Sequence, residues 1–437
     1  MSLPNILIIT THDTGRFIEP YGVTTVETPN LARLAAEGAR FNAYTTAPQC
    51  SPSRASLTTG RYPHANGTMG LTHRDFMWDL HPGEQTIPQV LRTVGYRSGH
   101  WGIEHAARDP QRIGNDLYDE TRDIDEIVAG VSSFIDADRE RPFVVQVGFG
   151  ETHRVGARGD TGPGQGFGGT PDTRKGITVP PYLVNGEETR ADLADFQDCV
   201  RRADTQIGRL VALLEDRHIL DDTLVLYVSD HGIPFPRAKC TLYDPGIEIS
   251  LIGRLPGTSL ANGAAPPGMA SILDVLPTLI DLTGAPPPAN LHGTSLLPLA
   301  ATATPGHAEI FVEKTYHSYY DPMRGLRTNR WKLIRNFETG VGVEIPSDIA
   351  GSGAYRDLAD RLQPSHHVDV ELYDLENDPN EQTNLAGKPA VTETQTRLTE
   401  HLSTWMTTTN DPLLEGPVPS PFYQQAMTSI SSHHRSV

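Results

Sequence analysis

The chain has 437 residues, more than one ordinary core holds, which points to a large domain accompanied by a smaller one. Hydrophobic residues make up 37% and charged residues 21%, the balance of a globular enzyme rather than a disordered or fibrous chain. Lys and Arg total 36 against 54 Asp and Glu, and the net charge of −18 argues against nucleic-acid or anionic-membrane partners while leaving room for a local basic pocket.

From the N-terminus, residues 5–10 read as a fully buried strand. Thr28-Pro29-Asn30 opens a helix, with Thr28 as N-cap, Pro29 in the first position, and Leu31, Leu34 and Ala35 as its apolar face. Residues 41–46 read as strand, 85–94 as helix, 96–101 as strand, 124–137 as helix and 142–149 as strand. The glycine-rich stretch 156–176 reads as a surface loop near the site, because no strand-to-helix context surrounds its G-x-G matches. A long helix over 188–217 follows, then buried strands over 223–229 and 248–252. This alternation predicts an α/β fold, a mainly parallel sheet with helices on both faces. A proline-rich stretch at 284–289 precedes a change of texture. Residues 310–314, 325–335 and 370–373 predict a small antiparallel sheet, 392–407 a closing helix, and the tail past Asp411 an irregular segment. The expected division is 1–304 for the larger domain and 305–437 for the smaller α+β one.

Three cysteines, Cys50, Cys199 and Cys240, are too few and too odd in number for a disulfide framework. No apolar run approaches the roughly 20 residues that span a bilayer. No secretory leader is visible before Asn5, so a cytoplasmic location is expected, with a trimmed exported form as the alternative. A homo-oligomer is compatible with all of this.

The sharpest local signal runs from Cys50 to Gly60, C-S-P-S-R-A-S-L-T-T-G. It follows a polar loop and opens a helix, where free N–H groups and the positive dipole end favour anionic transition states. Arg54 lies one turn further on the same face, within reach of the nucleophile and a bound oxyanion. His12-Asp13 and Asp230-His231 each sit just past a strand's carboxyl end, where open α/β sheets gather their ligands. Two such pairs beside a nucleophile suit a divalent metal that polarises the substrate. His105 and His153 follow two further strands, and an imidazole that titrates near neutrality suits proton transfer.

The C-x-P-S-R motif with its following T-G resembles the signature of the sulfatase family, whose fold is alkaline-phosphatase-like. The resemblance extends to Arg324-Gly325-Leu326-Arg327, Trp331-Lys332-Leu333, Glu371-Leu372-Tyr373-Asp374 and Asp378-Pro379. Within that family, Ser229–Pro236, Glu151–Arg154 and Pro322-Met323-Arg324 are most similar to the heparan N-sulfatase (sulfamidase) group. The resemblance implies that a formylglycine-generating enzyme converts Cys50 into an aldehyde. One hydroxyl of the hydrated aldehyde attacks sulfur, and loss of a proton from the other expels sulfate. It further implies a metal held by His12, Asp13, Cys50, Asp230 and His231. His105 would assist sulfate elimination, His153 would contact sulfate or protonate the leaving group, and Lys239 would touch the sulfate oxygens, with Arg237 as its competitor. Calcium is the expected ion; two imidazoles leave manganese, zinc and magnesium as alternatives. Tyr316, His317, Tyr320 and Arg324 are candidates for a substrate pocket, and the expected substrate is a small sulfated carbohydrate, cleaved at an ester or a sulfamate. Two positions depart from the family: His12 replaces an acid, and Ile103 replaces the lysine of G-K-x-H. Two competing readings remain, a phosphonate monoester or phosphodiester hydrolase on the same scaffold, and a sulfatase-like binding protein.

Overall fold

The computed structural model describes residues 3–73, 76–154, 167, 170–171, 173–340, 342–359 and 366–434. Of the glycine-rich stretch 156–176, all but 167, 170–171 and 173–176 therefore lies outside the described residues.

The strands in chain order are β1 (Asn5–Thr11), β2 (Ala39–Arg40), β3 (Asn42–Tyr44), β4 (Arg97–Gly102), β5 (Leu117–Asp119), β6 (Phe143–Phe149) and β7 (Thr223–Ser229). They continue with β8 (Glu248–Ile249), β9 (Leu251–Arg254), β10 (Met269–Ser271), β11 (Ile310–Tyr316), β12 (Tyr320–Arg327), β13 (Trp331–Asn336) and β14 (Val370–Asp374). The main sheet has seven strands in the order β2-β9-β7-β1-β6-β4-β5. Its five strands from β7 to β5 are parallel, while β9 runs antiparallel to β7 and β2 antiparallel to β9.

Strand β1 is apolar on both sides because both faces of the sheet are covered. Leu7 and Ile9 pack into the layer that holds Phe196, Val200 and Ile207, all on the helix Glu187–Asp216. Ile6 and Ile8 pack into the opposite layer with Phe41, Leu276 and Leu279. Each such side chain removed from water contributes on the order of 2 kcal/mol. Strand β3 pairs with β10 and β8 in a small second sheet, so the segment expected over 41–46 leaves the main sheet. The strand expected over 248–252 divides into β8 and β9, because the Ser250 N–H turns to the Ser229 hydroxyl at 2.9 Å.

The C-terminal sheet is antiparallel, in the order β11-β12-β13-β14. The run expected over 325–335 is two strands; the Thr328 hydroxyl accepts the Trp331 N–H at 2.8 Å and closes the turn between them. The helix Thr392–Thr408 covers this sheet, with Leu398, Leu402 and Trp405 against Leu326, Leu333 and Leu372. The tail past Asp411 is not irregular. It forms a 3-10 turn at Pro412–Glu415 and a helix at Pro421–His434, each opened by a proline whose fixed φ suits a first helical turn. Among the described residues no helix is long and apolar enough to cross a membrane.

Candidate active site

The site is assembled by strand register. In the parallel pairing Thr11 lies opposite both Ser229 and Phe149, so the residues beyond each strand emerge side by side. Backbone bonds lock the three exits together: the Asp230 N–H donates to the Thr11 carbonyl at 3.2 Å, and the His12 N–H to the Glu151 carbonyl at 3.1 Å. Asp13 and His105 have φ of 46° and 63°, a left-handed conformation uncommon outside glycine, held here by the surrounding packing.

Cys50 is the first residue of the helix Cys50–Thr59, after Gln49 in extended conformation. The helix is buried along its whole length, which its Ser, Thr and Ala residues permit. It ends at Gly60, whose left-handed φ of 66° lets its N–H reach the Ser56 carbonyl at 2.9 Å. Cys50 is thereby buried at the positive end of the helix dipole, with Sγ 3.3 Å from His231 Nε2 and 3.9 Å from Asp13 Oδ1. Burial raises the thiol's pKa, so the unmodified cysteine stays protonated.

The ligand atoms of His12, Asp13, Cys50 and Asp230 all lie within 4.8 Å of one another. Two observations fit this cluster to a cation. Both ring nitrogens of His12 are buried without a hydrogen-bond partner, and burial together with the Arg54 charge holds its pKa well below the ordinary value. The imidazole is therefore neutral, with a lone pair to give. His231 Nδ1 donates to the Gly232 carbonyl at 3.0 Å, which turns the Nε2 lone pair toward Asp13 Oδ1 at 2.9 Å. Two acceptors so close require a proton or a metal ion between them. As a proton site, His231 is opposed by burial, but Asp230 and Asp13 hold it well above its ordinary value.

Cationic groups frame the acids. Lys239 Nζ donates to Asp13 Oδ2 at 2.9 Å and to Asp348 Oδ2 at 2.7 Å, and lies 3.4 Å from His153 Nε2. Burial opposes each charge in this clamp, yet the pairing keeps Lys239 well above and Asp13 well below their ordinary values. His153 Nδ1 donates to the Arg154 carbonyl at 2.7 Å, so its Nε2 is the proton acceptor. Burial first, then Lys239, lowers its pKa. The His105 ring stands 5.5 Å from the His12 ring, its pKa pushed down to about 3 by burial and by Arg54.

Every metal and catalytic candidate read from the sequence thus converges here, with differences in detail. Arg54 does not bond Cys50; it bonds Asp230 Oδ2 at 3.1 Å, the Thr10 hydroxyl at 3.1 Å and the Ile103 carbonyl at 3.2 Å, leaving Nη2 without a partner. Arg237 turns away, its guanidinium 4.4 Å from the centre of the Tyr243 ring and bonded to the Glu381 carbonyl. Arg324 is not a pocket residue: it is fully buried, bonded to both Asp411 oxygens and to the Lys314 carbonyl, because a buried guanidinium must satisfy its donors. The Tyr316 and Tyr320 hydroxyls are also committed to packing, both bonded to the Val418 backbone. Tyr316 meets the site through its backbone, whose carbonyl accepts the Gln49 side-chain N–H at 2.9 Å. His317 Nδ1 is fixed by Glu344 at 3.0 Å. Asp348 went unrecognised in the sequence; it is 109 residues from Lys239, in a four-residue helix with no motif of its own.

The chain matches the sulfatase family over residues 4–285. It belongs to the sulfatase family. Residues 235–359 also match the C-terminal region named for N-sulphoglucosamine sulphohydrolase. Human N-sulphoglucosamine sulphohydrolase is 31% identical, over 94% of this chain and 92% of its own length. An ulvan-active sulfatase of Formosa agariphila is 27% identical over 93% of this chain and 75% of its own. A structure solved in complex with its substrate D-glucosamine-2-N,6-O-disulfate superposes with a TM-score of 0.70 at 20% identity, covering 95% of this sulfatase and 99% of that chain. A chain from work on glycosaminoglycan metabolism by Bacteroides thetaiotaomicron gives 0.73 at 18% identity, covering 96% and 100%. The fold of this sulfatase is theirs.

Proposed function

We propose that this sulfatase removes the sulfate of an N-sulfated glucosamine, with Cys50 as the precursor of its nucleophile and calcium as its ion. The observation that carries the reading is the buried Cys50 at a helix N-terminus, 3.3 Å from His231 and within the cluster of His12, Asp13 and Asp230. The match of residues 235–359, which include both Lys239 and Asp348, to the N-sulphoglucosamine sulphohydrolase C-terminal region directs the choice of substrate.

Converted to formylglycine, position 50 supplies a hydrated aldehyde in place of the thiol. His12, Asp13, Asp230 and His231 would hold a divalent ion, which would supply the charge that polarises the sulfate and lowers the pKa of the nucleophilic hydroxyl. The remaining work belongs to side chains. Lys239, held between Asp13 and Asp348, presents a fixed ammonium to sulfate oxygens. Arg54 orients Asp230 and keeps Nη2 as a donor for an anion. His153 Nε2 and the neutral His105 ring exchange protons with the leaving amine and with the nucleophile's second hydroxyl.

Co-expression with a formylglycine-generating enzyme, with conversion of Cys50 followed by mass spectrometry, prepares the test. Sulfate release is then compared among glucosamine N-sulfate, glucosamine 6-sulfate and a phosphonate monoester. N-sulfate is expected to turn over fastest. Faster turnover of the phosphonate, or no turnover by fully converted protein, would defeat the reading.

A further inference from the structure

At the end of the main sheet opposite the site, where β1, β4 and β6 begin, four arginines converge on a niche of about 60 Å³: Arg97, Arg139, Arg141 and Arg217. Asp138 and Asn5, whose side-chain oxygen accepts the Phe143 N–H at 3.3 Å, complete its polar lining. Even in a chain that carries −18, such a cluster of like charges repels itself unless anions join it.

Nearby carboxylates join it only in part. Asp136 is shared between Arg139 and Arg217, the latter at 2.7 Å, and Asp138 pairs with Arg141 at 2.6 Å. Glu140 is exposed and forms no ion pair with any of the four among the described residues. Arg97 is left over: it is 5% exposed, yet among the described residues it has no ion pair. Its terminal nitrogens donate to the Phe134 and Ile135 carbonyls, in the last turn of the helix Ile124–Ala137, and its guanidinium lies 4.3 Å from the centre of the Phe134 ring. These contacts fix the plane of the group, but a helix end offers only about half an elementary charge. Arg97 Nε stays buried without a partner. Burial lowers the pKa of Arg97, Asp138 opposes that shift and Arg141 adds to it, and the guanidinium stays protonated throughout. A buried cation without a counter-charge is costly, and here its other neighbours across the niche are mostly further cations.

The niche has room for a few water molecules or one small ion, and none for a sugar ring. We propose that it binds a tetrahedral oxyanion, sulfate or phosphate, between Arg97, Arg139 and Arg141. Guanidinium forks match such an ion through paired N–H donors. The ion neutralises the charge at the origin of three strands whose other ends lead to His12, His105 and His153, and so stabilises the fold at a distance from the reacting centre.

Calorimetric titration of the full-length, unmodified protein at low ionic strength tests this, with sulfate, phosphate and chloride in separate runs. The comparison is Arg139→Ala with Arg141→Ala; both side chains are mostly exposed, so the double variant keeps its fold and its active centre. Anion binding at the active centre is common to both proteins and cancels between them. Sulfate or phosphate is expected to bind the niche of the parent roughly tenfold or more tightly than that of the variant, and to raise the parent's Tm saturably. Arg139→Lys with Arg141→Lys should restore part of the affinity. A response to only one of the two oxyanions supports the site and identifies its ion. Equal binding by parent and double alanine variant, no oxyanion binding, or chloride bound as tightly as either oxyanion overturns it.

Discussion

Glu104 offers a stability measurement that the structure specifies closely. Burial is the main force on its carboxyl, and pushes it from an ordinary 4.5 up to about 7, despite the bonds it accepts from the Ala106 and Ala107 amides. Between those values the folded chain keeps a proton that the unfolded chain has released. Stability from this group is therefore complete below pH 4.5 and is lost as pH rises through 7. At about 1.4 kcal/mol for each tenfold change in proton affinity, the full loss is about 3 kcal/mol. Glu104→Gln removes the titration while keeping one acceptor for the Ala106 amide. The lost bond to Ala107 costs about 1 kcal/mol at every pH. Urea unfolding of both proteins at intervals from about pH 4.5 to about pH 8.5 isolates the effect, because all other titrating groups are common to the pair. The variant should be less stable at the acid end and more stable at the alkaline end, with the difference moving by about 3 kcal/mol. A difference that stays constant with pH would refute the account of Glu104 as a carboxyl forced to ionise inside the protein.

Four further outcomes are expected. Cys50→Ala should keep its circular dichroism and lose all turnover; residual turnover after correction for host enzymes would exclude Cys50 as nucleophile. Lys239→Met strands the buried carboxylates of Asp13 and Asp348, and should cost roughly 3–5 kcal/mol in urea unfolding as well as activity. Arg324→Met should cost a similar amount by leaving Asp411 unpaired, yet change KM less than twofold; a large rise in KM would return Arg324 to the substrate pocket. Chelation followed by dialysis should abolish activity and lower Tm, and calcium at about a hundred times its Kd should restore about 2.7 kcal/mol. Recovery with manganese or zinc but not calcium would reassign the ion.

Elements whose apolar pattern is self-sufficient are legible in the amino-acid sequence alone. The helix Ile124–Ala137 and the strand Thr223–Ser229 lie where periodicity puts them, since three-residue spacing and an unbroken apolar run have few other solutions. The site is legible because its residues follow strand ends, and parallel register brings such ends together. What the sequence hides depends on distant partners. Asp348 acquires its role from Lys239, and Arg324 from Asp411, and no local pattern encodes either meeting. The division of residues 248–252 follows from a hydrogen bond to Ser229, equally invisible in sequence. The terminal helix carries Phe422, Tyr423, Ala426, Met427 and Ile430 at helical spacing, but the structure leaves this short stripe exposed, so no buried face marks it as part of the fold.

The seating of Cys50 has a consequence for how the protein is made. Its loop is stitched to β11 at two points, the Glu313 N–H on the Thr46 carbonyl and the Gln49 side chain on the Tyr316 carbonyl. With β11 in place, Cys50 is 5% exposed and its helix is buried along its whole length. No second enzyme can enclose that side chain without unseating the helix. If Cys50 is the nucleophile's precursor, as proposed above, its oxidation belongs to the interval between synthesis of residue 50 and the docking of residues 310–316. On that reading folding closes the interval, a chain that folds first keeps its thiol, and the yield of converted protein is a race between two rates.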